Sequence, residues 1–137
     1  MSRLWDLIEE KKPLCLGPTA SVKRACQEMR KQRASAVLIT DGGRLTGIFT
    51  SRDAVKVIAE GKDRTRVTVR DAMTRNPVTI TPYATPIEAL RLMWDGGFRH
   101  LPVTDKGTLV GLILRRNFKS EDFAQLDDER ELWEHMR

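Results

Sequence analysis

Apolar residues along the chain fall in short clusters, and the clusters come twice in the same order. "AVLIT-DGG-RLTGIFT" (36–50) and "LPVT-DKG-TLVGLIL" (101–114) are apolar runs on either side of a turn that carries glycine. Asp-Gly-Gly and Asp-Lys-Gly are hairpin turn chemistry, so each stretch predicts two antiparallel strands. Upstream, the apolar spacing lengthens to three and four: Val22, Ala25, Cys26 and Met29 in one place, Ile87, Leu90 and Met93/Trp94 in the other. That period predicts a helix with one buried face. Ser21 caps the first. Thr85-Pro86-Ile87-Glu88 opens the second with a cap, a proline at the first helical position and a capping-box glutamate, and Gly96-Gly97 stops it. Short extended pieces, "PLCLGP" and "PVTITP", precede both helices. A further helix runs from Asp53 to about Glu60, with Gly61 placed to end it.

Sliding the chain by 64 residues lays "SAVLITDGGRLTGIFTSRD" (35–53) on "RHLPVTDKGTLVGLILRRN" (99–117). Pro13 meets Pro77, Pro18 meets Pro82, Ala25 meets Ala89, Met29 meets Met93 and Gly47 meets Gly111, without a gap. The chain is an internal duplication. The order β-α-β-β-α, twice, predicts a mixed α/β (α+β) fold. A repeat of roughly 55–60 residues buries too little surface to be stable alone, so two repeats packed sheet to sheet with pseudo-twofold symmetry are expected, leaving two equivalent clefts between them. The expected division is a first repeat with an N-terminal helix (1–66), a second repeat (67–119) and a C-terminal helix (120–137). In the N-terminal helix, "SRLWDLIEE", Leu4, Trp5, Leu7 and Ile8 are apolar. In the C-terminal one Ser120 is the expected cap, and Phe123, Leu126, Trp133 and Met136 fall near heptad spacing. These helices either cover their own domain or make a dimer contact.

Composition narrows the class. Apolar residues are 40% of 137, in runs too short to span a bilayer, and no secretory leader opens the chain. A soluble, cytoplasmic protein is expected. Cys15 and Cys26 form no metal-ligand spacing with His100 or His135, which argues against zinc and against a disulfide scaffold. The net charge of +5 admits nucleic acid or a phosphate-bearing ligand, but the charges are scattered, with no basic-aromatic stripe. No Ser/His/Asp set and no paired carboxylates point to catalysis.

The candidate chemistry lies in "GIFTSRD" (47–53). Thr50-x-x-Asp53 reads as a helix cap. Read alone, the cap is the simpler reading; the second is a ribose-phosphate grip, with a carboxylate for ribose hydroxyls, the hydroxyls of Thr50 and Ser51 with helix N–H groups for a phosphate, and Arg52 as a fixed charge. The second copy has Leu114 for Thr50 and Asn117 for Asp53, with Arg116 opposite Arg52. Arg99-His100-Leu101-Pro102 reads as a strand start with an exposed arginine and a half-buried histidine.

The duplicated order, "GIFTSRDAVKVI", "FRHLPVTD" (98–105) and the linking segment "VTVRDAMTRNPVTITP" (67–82) together resemble a tandem pair of CBS domains, a Bateman module, over about residues 12–119. The resemblance implies a regulatory sensor, not an enzyme, that needs no cofactor or metal. It implies an adenosine ligand (AMP, ADP, ATP, NAD or S-adenosylmethionine) in the clefts, a homodimer, and output through an effector partner or an oligomer. By the same resemblance one cleft combines Thr50, Ser51, Arg52 and Asp53 with Ile80, Thr81, Pro82, Arg99, His100 and Leu101. A weaker cleft combines Arg116 and Asn117 with Cys15, Leu16, Thr19, Ala36 and Val37. His100 is expected to make phosphate affinity pH-dependent near neutrality. The alternatives are a basic nucleic-acid binder and an enzyme acting on a bound nucleotide.

Overall fold

The 64-residue shift reappears in the backbone. The computed structural model describes residues 3–8 and 12–136. The chain runs through β1 (Cys15–Leu16), α1 (Val22–Gln32), β2 (Ala36–Asp41), β3 (Arg44–Thr50), α2 (Ser51–Ala59), a four-residue helix α3 (Val69–Ala72) and β4 (Thr74–Arg75). It continues through α4 (Pro86–Gly96), β5 (His100–Asp105), β6 (Thr108–Leu114), a 3-10 turn at Arg115–Asn117 and α5 (Ser120–His135). Under the shift, α1 falls on α4, β2 on β5 and β3 on β6, at both ends of each. The parallel pair Leu16↔Ile39 has its counterpart in Ile80↔Val103. One sheet has the order β1-β2-β3-β4 and the other is the pair β5-β6.

Local chemistry explains the match. Gly42 and Gly43 take φ 57° and 82°, and Lys106 and Gly107 take 52° and 82°. Two successive left-handed residues make the mirror-image turn whose twist suits a hairpin. Ser21 Oγ accepts from Arg24 N–H at 3.0 Å to start α1. In α4 the capping box is complete, with Thr85 N–H donating to Glu88 at 3.0 Å and Glu88 N–H to Thr85 Oγ1 at 3.4 Å.

Each unit has its own core. The first unit, built on Lys12–Val78, buries Val22, Ala25, Met29, Val37, Ile39 and Phe49, and adds Val57 from α2. The second buries Ala89, Met93, Leu101, Val103 and Ile113 at the shifted positions. Its helix after the hairpin starts later, so Phe118 and Leu126 supply the plug that Val57 gives the first. α5 is capped at Lys119, one residue before the expected Ser120, because Asp122 accepts the Lys119 N–H at 2.9 Å. Leu126 is buried, Arg91 pairs with Glu129, and the Arg130 guanidinium lies 4.0 Å over Trp94. The first half of α5 therefore covers its own unit, while Leu132, Trp133 and Met136 stay exposed.

Two segments pack differently from their order in the chain. The N-terminal residues form a 3-10 turn, Leu4–Leu7, in place of the longer helix expected; Ser2, Glu9 and Glu10 lie outside the described residues. The turn belongs to the second unit: Leu4 is fully buried there with Ile8, and its N–H donates to the Ala84 carbonyl at 3.0 Å. α3 belongs to the first unit, with Val69 fully buried and its N–H donating to the Ala20 carbonyl at 2.8 Å. The stretch 67–78 thus packs with the first repeat and the N-terminal segment with the second, where the chain order suggested the opposite. Hydrogen bonds between residues dozens of positions apart leave no trace in local periodicity.

β4 crosses β3 at Gly47, which pairs with Arg75. A Cβ there would meet the Met73 side chain, and the Thr74 carbonyl oxygen at 2.9 Å. Gly47→Ala is expected to destabilise by about 1–3 kcal/mol in urea denaturation. Met73→Ala in the same chain should recover part of that loss, since the carbonyl clash remains. A Gly47→Ala protein as stable as wild type would show that β4 does not sit this close.

Candidate functional site

β3 ends at Thr50, paired with Ala36 of β2, and α2 begins at the next residue. The Thr50 N–H has left the sheet, and Asp53 Oδ2 accepts it at 2.8 Å. Thr50 Oγ1 lies 3.5 Å from the same oxygen. The cap reading is therefore realised, through the aspartate and not the threonine. Thr50 Oγ1 caps no N–H of the first turn of α2, so those N–H groups point out of the helix end, where the dipole is positive. Ser51 and Arg52 are exposed beside them. Partial burial raises the Asp53 carboxyl above the usual carboxylate range, opposed by the two Thr50 bonds and by Lys56 and Arg52. Its second oxygen, Oδ1, makes no hydrogen bond among the described residues. Half-dehydrated and half-used, this carboxylate suits neutral hydroxyl donors.

The second copy of the corner makes the same bond with a different group. The Leu114 N–H donates to Asn117 Oδ1 at 2.8 Å. A neutral amide therefore meets the structural demand as well as a carboxylate does. The turn then folds back, with Arg115 N–H donating to the Arg99 carbonyl at 3.0 Å, and Phe118 enters the core.

The other candidates divide by burial. In the second unit Ile80 is held to β5 on both sides: its N–H donates to Pro102 O at 3.1 Å, and Thr104 N–H to Ile80 O at 2.9 Å. Thr81 and Arg99 are exposed, His100 is half-buried, and Pro82 and Leu101 are buried. In the first unit Cys15 and Thr19 are exposed, while Leu16, Ala36 and Val37 are buried. Leu101 and Val37 side chains belong to the cores, so only their main chains are available to a ligand. Although Cys15 is exposed, partial desolvation by its surroundings raises its thiol, which disfavours the reactive thiolate. The structure also gathers residues that the sequence had assigned to different sets. Arg99, His100 and Arg116 share one neighbourhood, and Ala36 is the sheet partner of Thr50. Lys56, one turn along α2, acts on Asp53 and was not anticipated; its i, i+3 spacing from Asp53 was the available signal. Among the described residues no cluster of three or more His, Cys, Asp or Glu is placed to hold a metal, and no helix is long and apolar enough to cross a membrane.

Burial first, then the charges of Arg116 and Arg99, hold His100 below the ordinary imidazole range. The titration expected near neutrality is thereby moved to lower pH. The unfolded chain takes up this proton at higher pH than the folded one, so the stability from neutral His100 is complete above the ordinary value of about 6.5 and is lost as the pH falls through it. In urea denaturation, His100→Gln is expected to lose less stability than wild type between about pH 7.5 and pH 5.5. Equal losses would mean that His100 titrates as in the unfolded chain.

Comparison with known proteins gives the family. The CBS domain model matches twice, over residues 6–60 and 69–122. A CBS domain-containing protein of Arabidopsis thaliana, CBSCBSPB2, is 42% identical over 104 residues, 74% of this chain; the match spans 19% of the plant protein's length. The crystal structure of the CBS-domain containing protein ATU1752 from Agrobacterium tumefaciens superposes with a TM-score of 0.79 at 32% identity, over 85% of this chain and 95% of that one. The CBS domain pair of protein MJ0100, solved with 5′-methylthioadenosine and S-adenosyl-L-methionine, gives 0.76 at 27% identity, over 91% and 98%. With two matched domains, a duplicated backbone and these likenesses, the chain belongs to the CBS-domain family and carries two CBS domains in tandem.

Proposed function

We propose that this chain is a regulatory module that binds an adenosine-containing small molecule and passes the change to a partner or to a second copy of itself. The observation that carries this is the pair of corners. Asp53 and Asn117 accept the same main-chain bond at the same 2.8 Å, so the negative charge of Asp53 is surplus to the fold. A ribose is its natural use, with the Thr50 and Ser51 hydroxyls, Arg52 and the N–H groups of α2 turned to a phosphate or other substituent beyond it. Ile80, Thr81, Pro82, Arg99, His100 and the Leu101 main chain would complete this site. Arg116 and Asn117, with Cys15, Leu16, Thr19, Ala36 and Val37, would form the weaker one. The adenosine ligands of the MJ0100 domain pair support the ligand class. A ligand that binds one arrangement of the repeats better shifts the population toward it, and the exposed Leu132, Trp133 and Met136 offer an apolar contact for the output. A chain that sediments as a monomer at all accessible concentrations would remove the homodimer from this reading.

The corner can be tested without breaking it. Asp53→Asn keeps the cap, as Asn117 already shows, and removes only the charge. A panel of AMP, ADP, ATP, NAD, S-adenosylmethionine and 5′-methylthioadenosine should contain a ligand that, at 100 times its Kd, stabilises wild type by about 2.7 kcal/mol. Asp53→Asn should leave unliganded stability unchanged and weaken that ligand about tenfold, the loss of one charge-assisted bond. Asn117→Ala should lower stability and leave affinity nearly intact. Full affinity in Asp53→Asn with loss in Asn117→Ala would reverse the ranking.

A further inference from the structure

Three consecutive carbonyls, those of Pro82, Tyr83 and Ala84, are all held by three consecutive residues from the start of the chain. Trp5 N–H donates to Pro82 O at 3.1 Å, Arg3 Nη1 to Tyr83 O at 2.7 Å, and Leu4 N–H to Ala84 O at 3.0 Å. Between them Leu4 is fully buried, in the core that also contains Ala84 and Leu101. The strip from Ile80 to Ala84 has few bonds of its own: Ala84 N–H to Thr81 O at 3.2 Å and Tyr83 N–H to Thr81 Oγ1 at 3.3 Å. Its other anchors both lead to β5: the bridge of Ile80 to Val103, and the bond that Tyr83 Oη donates to Asp105 Oδ2 at 3.2 Å. The strip is thus suspended between β5 and the N-terminal segment.

The first repeat repeats the device with other residues. Arg70 N–H donates to Pro18 O at 3.2 Å and Val69 N–H to Ala20 O at 2.8 Å, at positions equivalent to Pro82 and Ala84. "RLWD" (3–6) and "TVRD" (68–71) are the two copies of this clasp. Each places one fully buried aliphatic residue, Leu4 or Val69, and one aspartate that bonds back to the first residue: Asp6 with Arg3 N–H at 3.4 Å, Asp71 with Thr68 Oγ1 at 3.0 Å. Their offset is 65 residues (68 − 3), one more than that of the hairpins and helices, so the duplication reaches further upstream across a one-residue gap.

We infer that Arg3, Leu4 and Trp5 are positioning residues that set the shape of the Ile80–Ala84 strip without touching a ligand. Ile80, Thr81 and Pro82 belong to the proposed adenosine site, so docking of the N-terminal segment and ligand affinity are coupled. The coupling rests on the nucleotide reading; the positioning does not. Because coupling is reciprocal, ligand tightens the docked segment, and anything that draws the segment away weakens the ligand.

Amide exchange in the ligand-free protein separates positioning from general stability. Arg3→Met removes the donor to Tyr83 O and leaves Leu4 seated. It is expected to speed exchange at Ile80, Ala84 and Thr104 about fivefold, the worth of one ordinary hydrogen bond, with Leu90 and Met93 in α4 unchanged. Leu4→Ala should speed the same three amides by about tenfold or more, and Leu4→Met should restore most of the protection. Val69→Ala, the counterpart in the other unit, should leave them as in wild type. The adenosine panel then reports the coupling: whichever ligand binds wild type should bind Arg3→Met more weakly, because the strip it contacts has lost one of its holds. Unchanged exchange at Ile80, Ala84 and Thr104 in both Arg3→Met and Leu4→Ala overturns the positioning role, whatever the ligand result. Faster exchange with undiminished affinity overturns the coupling. Faster exchange in a protein whose wild type binds no member of the adenosine panel upholds the positioning and removes the nucleotide reading.

Discussion

A main-chain N–H that leaves a sheet at the end of a strand needs an acceptor before the next helix can supply its own pattern. Thr50 and Leu114 are in this position, and in both cases a side chain three residues on provides the oxygen, Asp53 in one and Asn117 in the other. The bond fixes where β3 and β6 turn, and so sets the next element of each unit. In the first this is α2 with its buried Val57; in the second it is a short turn and Phe118. An unsatisfied buried N–H would forfeit roughly 1–3 kcal/mol, so some acceptor is obligatory. Its charge is not. That freedom lets one repeat carry a carboxylate where the other carries an amide on nearly the same backbone.

Much of the fold was legible in the sequence because it is local. The hairpin turns announce themselves through Gly42-Gly43 and Lys106-Gly107, the helices through the spacing of Val22, Ala25 and Met29 and of Ile87, Leu90 and Met93, and the duplication through a gapless shift. The ends of α1 and α4, β2 and β5, and β3 and β6 coincide under that shift. The N-terminal turn and α3 were not legible. Leu4 reads as one apolar position of a terminal helix and Val69 as part of a linking segment, and only carbonyls far along the chain reveal that each closes a repeat. The α5 boundary was missed by one residue because Asp122, not Ser120, supplies the acceptor.

The candidate site divides along the same line. Thr50, Arg52 and Asp53 could be picked out by comparing two copies inside one chain, which turns a common capping pattern into a contrast. The burial of Leu101 and Val37, the gathering of Arg99, His100 and Arg116, and the influence of Lys56 on Asp53 all depend on how strands register and fold back. Those features bear on chemistry. Buried side chains leave only main-chain groups for a ligand, and burial, reinforced by Arg116 and Arg99, keeps His100 neutral to lower pH than an exposed imidazole.

The two corners, alike in backbone, should differ in ligand affinity because one carries a carboxylate. The most direct measurement is a titration of the isotopically labelled chain with S-adenosylmethionine or AMP, reading the amide resonances of residues 50–53 and 115–117 separately. The resonances at Thr50–Asp53 should move first and saturate at lower ligand concentration than those at Arg115–Asn117. Movement at Arg115–Asn117 first, or identical curves at both corners, would contradict this assignment of the stronger site to Asp53.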